Sequence, residues 1–195
     1  LSVQSFQKGF DINDQNVHDK LDEFIQTLIQ QIDTMSSIAS AFSNFAEMPA
    51  QQGEKINIIQ TIRLALEIFK EKHIKFISDF KDIQVNIDRT QMVRIITNLV
   101  KNAIQACETI EKPLIQVFIK KKKNNIVIEI KDNGIGISKS IGKKIFEPNF
   151  TTKTSGMGLG LGMVKNLVNS YDGKITFKSK INSGASFLIS FPISK

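Results

Sequence analysis

Cysteine occurs once in these 195 residues, tyrosine once, histidine twice and proline four times. A single cysteine, Cys107, excludes a disulfide-stapled fold. Its place on the apolar face of a predicted helix marks a small core residue rather than a nucleophile. Long hydrophobic runs are missing too, since nothing approaches the roughly 18 to 20 apolar residues of a membrane span. Leu1–Phe10 is a polar mixture without the apolar core of a secretory signal. No GxxxxGK[ST] string occurs, which excludes a P-loop. Acidic residues are outnumbered, 19 Asp and Glu against 26 Lys and Arg, for a net charge of +7. That excess raises nucleic acid as a partner. Its densest run, however, is Lys120–Lys123, which meets Asn124-Asn125 between two strand-like segments and has no interleaved aromatics. A solvated hairpin end accounts for it, and no nucleic acid is expected.

Glycine is scarce in the first half and dense in the second, with nine of eleven between Gly134 and Gly184. Special backbone conformations therefore belong to the second half. What the first half has instead is a repeat. Leu21, Ile25, Leu28, Ile32, Met35, Ala39, Phe42 and Ala46 alternate in steps of four and three, predicting one helix from about Val17 to Met48 with a coiled-coil-like seam. Phe24, Ile29, Ile38 and Phe45 widen the stripe toward what a helical bundle needs. A lone helix cannot bury that much surface, so a homodimer through this helix is expected. Val3, Phe6 and Phe10 look like the tail of a preceding helix, with Asp11–Asn16 as its turn. Pro49 ends the long helix, and Ala50–Lys55 reads as a linker. The expected division is thus 1–49, a truncated helical segment, and 50–195, a second domain.

In that second domain Ile58–Phe69 reads as helical, and His73–Asp79 and Gln84–Ile87 as extended. Asp88 caps a helix running to about Glu108. Leu114–Lys122 and Ile126–Lys131 form one hairpin, Gly160–Ser170 another helix, and Lys174–Ser179 with Ser186–Phe191 a last hairpin. The order lacks regular βαβ alternation. The expected class is α/β, a two-layer sandwich with helices on one face of a mixed sheet.

Four stretches carry chemistry. In TNLVKNAIQA (97–106) a helical wheel places Gln91, Arg94, Asn98, Lys101, Asn102 and Gln105 on one face. Two short amides four residues apart are poor helix formers but suitable neutral oxygen ligands for a hard cation such as Mg²⁺. In DNGIGIS (132–138) a strand ends in an aspartate, a pure acceptor when ionised, able to take an exocyclic amine such as that of adenine. Gly134 and Gly136 would let a flat ring approach the backbone, although Asp-Asn-Gly is also an ordinary turn. In SGMGLGLGMVKNLV (155–168) Gly156, Gly158, Gly160 and Gly162 precede and enter a helix, offering free N–H groups to phosphates. Between them IFEPNFTTKTS (145–155) brackets a proline with Phe146 and Phe150, which fits a lid pinned at its ends.

Taken in order, these boxes resemble the nucleotide-binding fold shared by sensor histidine kinases, gyrase-type topoisomerases, large heat-shock chaperones and mismatch-repair ATPases, over about residues 55 to 195. FEPNFTTK and NLVKNAIQA look most like the nitrogen-regulation type of sensor kinase in two-component systems. SNFAEMPA likewise resembles the second helix of that group's dimerisation and phosphotransfer domain. The resemblance implies ATP and Mg²⁺ as ligands, Asn102 as the metal ligand and Asp132 as the adenine acceptor beside Gly134 and Gly136. Ser186, in GASF, matches the hydroxyl residue that helps hold the adenine site. Gly158, Leu159, Gly160 and Gly162 would line the phosphates, with Phe150 on the lid and Lys153 reaching the terminal phosphate. Asn98 stands where the hydrolysing relatives keep a glutamate base. An amide accepts no proton, so transfer to a protein is favoured over transfer to water.

The chain departs from the family in two respects, the first of them decisive. Neither His18 nor His73 lies in a His-Glu/Asp-x-x-Asn-Pro box, so the acceptor histidine is expected upstream of residue 1. A second departure is Gln105-Ala106, where many histidine kinases place a cation or an aromatic. The resemblance further implies a receiver domain of a response regulator as partner. It implies a cytoplasmic location, with any membrane attachment in segments absent here. Two other readings stay open: a hydrolysing ATPase of the chaperone or repair type, and a non-catalytic nucleotide-binding dimer scaffold.

Overall fold

The computed structural model describes residues 17–46, 53–70, 73–147, 150–151 and 158–193. The chain divides into two units, 1–47 and 48–195. The first is carried by helix α1, Val17–Ala46. Along its repeat Leu21 and Leu28 are half-buried while Ile25, Ile32 and Met35 are exposed. The apolar seam is therefore only partly covered within its own unit. The expected helix tail at Val3–Phe10 and the helix stop at Pro49 lie outside the described residues, as do the side chains beyond Met35 in α1.

The second unit holds a small ribbon, β1 (Lys55–Asn57) against β3 (Gln84–Asn86), and a five-stranded sheet. The sheet contains β2 (Ile74–Ser78), β4 (Ile115–Lys122), β5 (Asn125–Asp132), β6 (Lys174–Ser179) and β7 (Ala185–Pro192), in the order β2-β4-β5-β7-β6. β2 runs parallel to β4 and every other pairing is antiparallel. Helices α2 (Ile58–Glu67), α3 (Arg89–Ala106) and α5 (Gly160–Ser170) accompany it, with a four-residue α4 (Lys139–Gly142) that periodicity could not reveal. β1 takes the end of the stretch that reads as linker.

Alternation decides which face is covered. Ile115, Val117 and Ile119 of β4, Ile126, Ile128 and Ile130 of β5, and Phe187, Ile189 and Phe191 of β7 are buried together. Met92, Ile95, Ile96, Leu99, Val100 and Ala103 of α3 meet them, with Val164, Leu167 and Val168 of α5. The opposite face is mixed: beside Ile77, Phe118 and Leu188, Glu129 takes hydrogen bonds from Lys120 Nζ at 3.2 Å and from Ser186 Oγ at 2.7 Å. The result is the expected two-layer α/β sandwich.

Two caps set the start of α2 and α3. Asn57 Oδ1 accepts the N–H groups of Ile59 and Gln60 at 3.0 and 3.3 Å, and Asp88 Oδ1 that of Gln91 at 2.9 Å. Such caps contribute about 1 kcal/mol each. The hydroxyl of Tyr171, at the C-terminus of α5, accepts the Asp88 N–H at 3.4 Å. At its other end, α5 brings Gly160 beside Asn98 of α3. The two helices therefore run antiparallel, and the glycine-rich N-terminus of α5 opens onto the middle of α3.

Candidate functional site

Asp132 ends β5 with its side chain inward, 4% exposed. A carboxylate buried this deeply needs partners. One oxygen, Oδ1, has two: the backbone N–H of Gly134 at 2.9 Å and that of Ala185 at 3.1 Å. Burial nonetheless pushes its pKa up, and the two backbone donors oppose that shift. The carboxyl group is held in place on one side by main chain.

The loop after Asp132 is fastened to its surroundings. Ile135 donates its N–H to the carbonyl of Ala106 at 3.0 Å, and Asn182 donates to the carbonyl of Ile135 at 2.8 Å. Ser179 Oγ accepts from Ile137 N–H and donates to the carbonyl of Gly184, both at 2.8 Å. Asn133 ties the other flank, accepting from Leu114 N–H at 2.8 Å and donating to Lys112 at 2.9 Å. Cys107 Sγ lies 3.6 Å from the same Asn133 oxygen. That thiol is buried and desolvation pushes its pKa up, as befits a core residue.

Gly134 and Gly136 are required first by the protein's own backbone. A Cβ on Gly134 would stand 2.4 Å from the Ala106 carbonyl oxygen, and one on Gly136, at φ +73°, 2.2 Å from that of Lys180. The protein's own backbone therefore requires glycine at both positions. Ser186 does not meet its expectation. It pairs with Lys131, whose side chain points away from the core, and its hydroxyl bonds Glu129 on the opposite face from Asp132. Its neighbour Ala185 is the residue that touches Asp132, through a backbone N–H.

The polar strip of α3 forms as expected. Asn98, Asn102 and Arg94 are half-buried on it, and Lys101 is exposed. Asn98 Nδ2 donates to the carbonyl of Arg94 at 2.8 Å, which aims its oxygen outward. That oxygen lies 3.1 Å from where a Cβ of Gly160 would stand. Gly158 sits at φ +66°, a conformation that favours glycine. Leu159, at the N-cap of α5, supplies no side-chain cap, so the first N–H groups of that helix are not claimed by a capping side chain. Gly162 is buried within the first turn. Phe146 packs edge-on against Phe177 at 6.0 Å, with Lys165 Nζ 5.8 Å from its ring centre, and Phe150 is half-buried against the core. Both loop anchors are thus inside, while Lys153 and Gly156 lie outside the described residues.

Among the described residues no three His, Cys, Asp or Glu side chains gather as a metal cage. An amide such as Asn102 fits instead the sparse ligation of Mg²⁺, which takes one or two protein ligands and completes its shell with phosphates and water. Sequence reasoning overlooked Ala185, Asn133 and Ser179. Strand parity could have found the first, because Phe191, Ile189 and Phe187 place Ala185 inward.

Residues 87–195 match the family described as histidine kinase-, DNA gyrase B-, and HSP90-like ATPase. Among curated relatives, the signal transduction histidine-protein kinase AtoS of Escherichia coli is 29% identical over 88% of this chain and 29% of its own length. Nitrogen regulation protein NtrY of Azorhizobium caulinodans is 26% identical over 90% of this chain and 24% of its own length. The chain therefore spans less than a third of these relatives. The solved catalytic domain of histidine kinase ThkA is 31% identical, with a TM-score of 0.64 over 72% of this chain and 95% of that one. ThkA in complex with response regulator protein TrrA aligns over 98% of this chain and 55% of that one, at 23% identity and TM-score 0.73, a likeness of fold. Among the described residues no helix is long and apolar enough to cross a membrane. A buried aspartate at a strand end, an amide-bearing helix and a glycine-opened helix are what the matched span holds, and the chain belongs to the histidine kinase-, DNA gyrase B- and HSP90-like ATPase family.

Proposed function

We propose that this chain is the ATP-binding catalytic part of a sensor histidine kinase, acting on a histidine that the chain itself does not carry. The observation that carries the reading is Asp132. One of its oxygens is fixed by two backbone donors, which leaves the other to accept the exocyclic amine of adenine. A guanine would present a carbonyl there, so adenine is preferred. The triphosphate then runs along the strip of α3 toward the N-terminus of α5, where free N–H groups and the helix dipole favour phosphate. Gly158, Leu159, Gly160 and Gly162 form that opening, with Phe150 and Lys153 assigned to the nucleotide by the family resemblance, Lys153 to its terminal phosphate. Asn102 holds Mg²⁺, which when bound neutralises phosphate charge. Asn98 orients the phosphates through its outward oxygen.

In the transfer, an acceptor imidazole nitrogen attacks the γ-phosphorus in line. The bond to the bridging oxygen breaks, ADP leaves, and the imidazole gives up its N–H proton to solvent. Asn98 has no basic oxygen to activate water, which disfavours the hydrolysing reading. The exposed seam of α1, with Ile25, Ile32 and Met35, supports dimerisation through that helix. Relay to a response regulator receiver domain and a cytoplasmic location, where ATP and Mg²⁺ are abundant, complete the proposal.

Calorimetric titration tests it. ATP is expected to bind one site per chain, more tightly with Mg²⁺ than without and more tightly than GTP. Equal affinity for both bases, or indifference to magnesium, would overturn the reading, and steady ATP turnover by the isolated chain would favour the hydrolysing alternative.

A further inference from the structure

The strip of α3 has a direction. Its C-terminal end is the base end, because Gly134 and Ile135 close onto the carbonyl of Ala106. Asn102, Asn98 and Arg94 then follow at steps of about 6 Å, the rise of four helical residues. Asn98 faces the N-terminus of α5, so a nucleotide laid along the strip brings its phosphates to Asn98 and its outer end to Arg94. Helical side chains also lean toward their own N-terminus, which carries the guanidinium one turn further from the base than the Asn98 amide.

Arg94 is half-buried, and among the described residues it makes no ion pair. The ion pairs found there join Arg89 to Glu54 and Lys120 to Glu129. Its carbonyl is occupied, taking Asn98 Nδ2 at 2.8 Å and Thr97 Oγ1 at 3.2 Å. Among the described residues its guanidinium takes part in no hydrogen bond or ion pair. An arginine fork without an anion is open to a ligand, and its planar donors match two oxygens of one phosphate. We propose that Arg94 binds the terminal phosphate of the nucleoside triphosphate, an inference that rests on the nucleotide reading above. In the transfer it moves no proton. It hydrogen-bonds two non-bridging oxygens of the γ-phosphoryl group while the bond to the ADP oxygen breaks and the bond to the acceptor forms.

The test compares ATP with ADP, by titration calorimetry on the full chain with Mg²⁺, for the wild type, Arg94→Gln and Arg94→Lys. For Arg94→Gln the ATP Kd is expected to rise at least tenfold and the ADP Kd less than twofold, with retained ADP binding reporting an intact fold. Arg94→Lys keeps the charge but not the fork, and is expected to fall between the two for ATP. An unchanged ATP Kd, or an equal loss of both nucleotides in both variants, overturns the role of Arg94 alone. A wild-type chain that binds neither nucleotide overturns the nucleotide reading and this inference with it.

Discussion

Replacing Asp132 by Asn separates what this residue does for the fold from what it does for a ligand. In Asp132→Asn the amide oxygen can keep both backbone donors, Gly134 at 2.9 Å and Ala185 at 3.1 Å. Those two bonds lose their charge assistance, at about 1 kcal/mol each. Against that, a charge is removed from a site where burial already raises the carboxyl pKa. The two effects oppose, so the melting temperature of the ligand-free protein is expected to stay within a few degrees of wild type. Toward adenine nothing offsets the loss. The variant presents an N–H to an amine that also donates, forfeiting a charge-assisted bond of about 1.5–3 kcal/mol, or roughly a 10- to 150-fold rise in the ATP Kd. Calorimetry and thermal denaturation on the same sample read both. A variant that binds ATP within threefold of wild type, or that unfolds at room temperature, would refute the reasoning. The pH dependence follows from the same shift. With its pKa raised on folding, Asp132 binds a proton more readily in the native state, so its contribution to stability grows as pH falls through that raised pKa and is lost as pH rises through it. ATP affinity moves the other way, because only the ionised carboxylate accepts the amine. In Asp132→Asn both trends attributable to this group vanish.

Other substitutions give distinct outcomes. Gly134→Ala drives a Cβ to 2.4 Å from a backbone oxygen; a loss of about 1–3 kcal/mol is expected in urea denaturation. Gly160→Ala puts its Cβ 3.1 Å from Asn98 Oδ1; stability should stay within about 1 kcal/mol, while ATP binding weakens several-fold as the amide is displaced. Asn102→Ala should leave metal-free ATP binding within twofold and abolish most of the gain from Mg²⁺, read by titrations with and without the ion. Tyr171→Phe removes the acceptor for the Asp88 N–H, and a loss of about 1 kcal/mol is expected from chemical denaturation.

Much of the architecture was legible because each element obeys one period. α3 begins at the predicted Asp88 cap and closes two residues before the expected Glu108, and β4 through β7 fall within a residue or two of their predicted bounds. Local signals failed where the determinant is a distant piece of backbone. Gly136 answers to Lys180, and Gly184 to Asp132, whose carbonyl oxygen would lie 2.0 Å from its Cβ; glycine alone does not name its neighbour. Ser186 was misplaced by matching a motif one residue out of phase with the pleat, although Phe187 and Phe191 fix that phase. The helical wheel put Arg94 on the polar strip, but its lack of a counter-ion among the described residues is a fact of three dimensions.

The fastening of the Asn133–Ile137 loop from both flanks has a kinetic consequence. Because Asn133, Ile135 and Ile137 are already tied to residues 106 to 114 and 179 to 182, the chain orders this loop when it folds and not when a purine arrives. On the proposed nucleotide reading, encounter at this end needs no rearrangement of main chain, so base capture should be limited by diffusion and not by loop motion. Any slow step in loading would then belong to the triphosphate end.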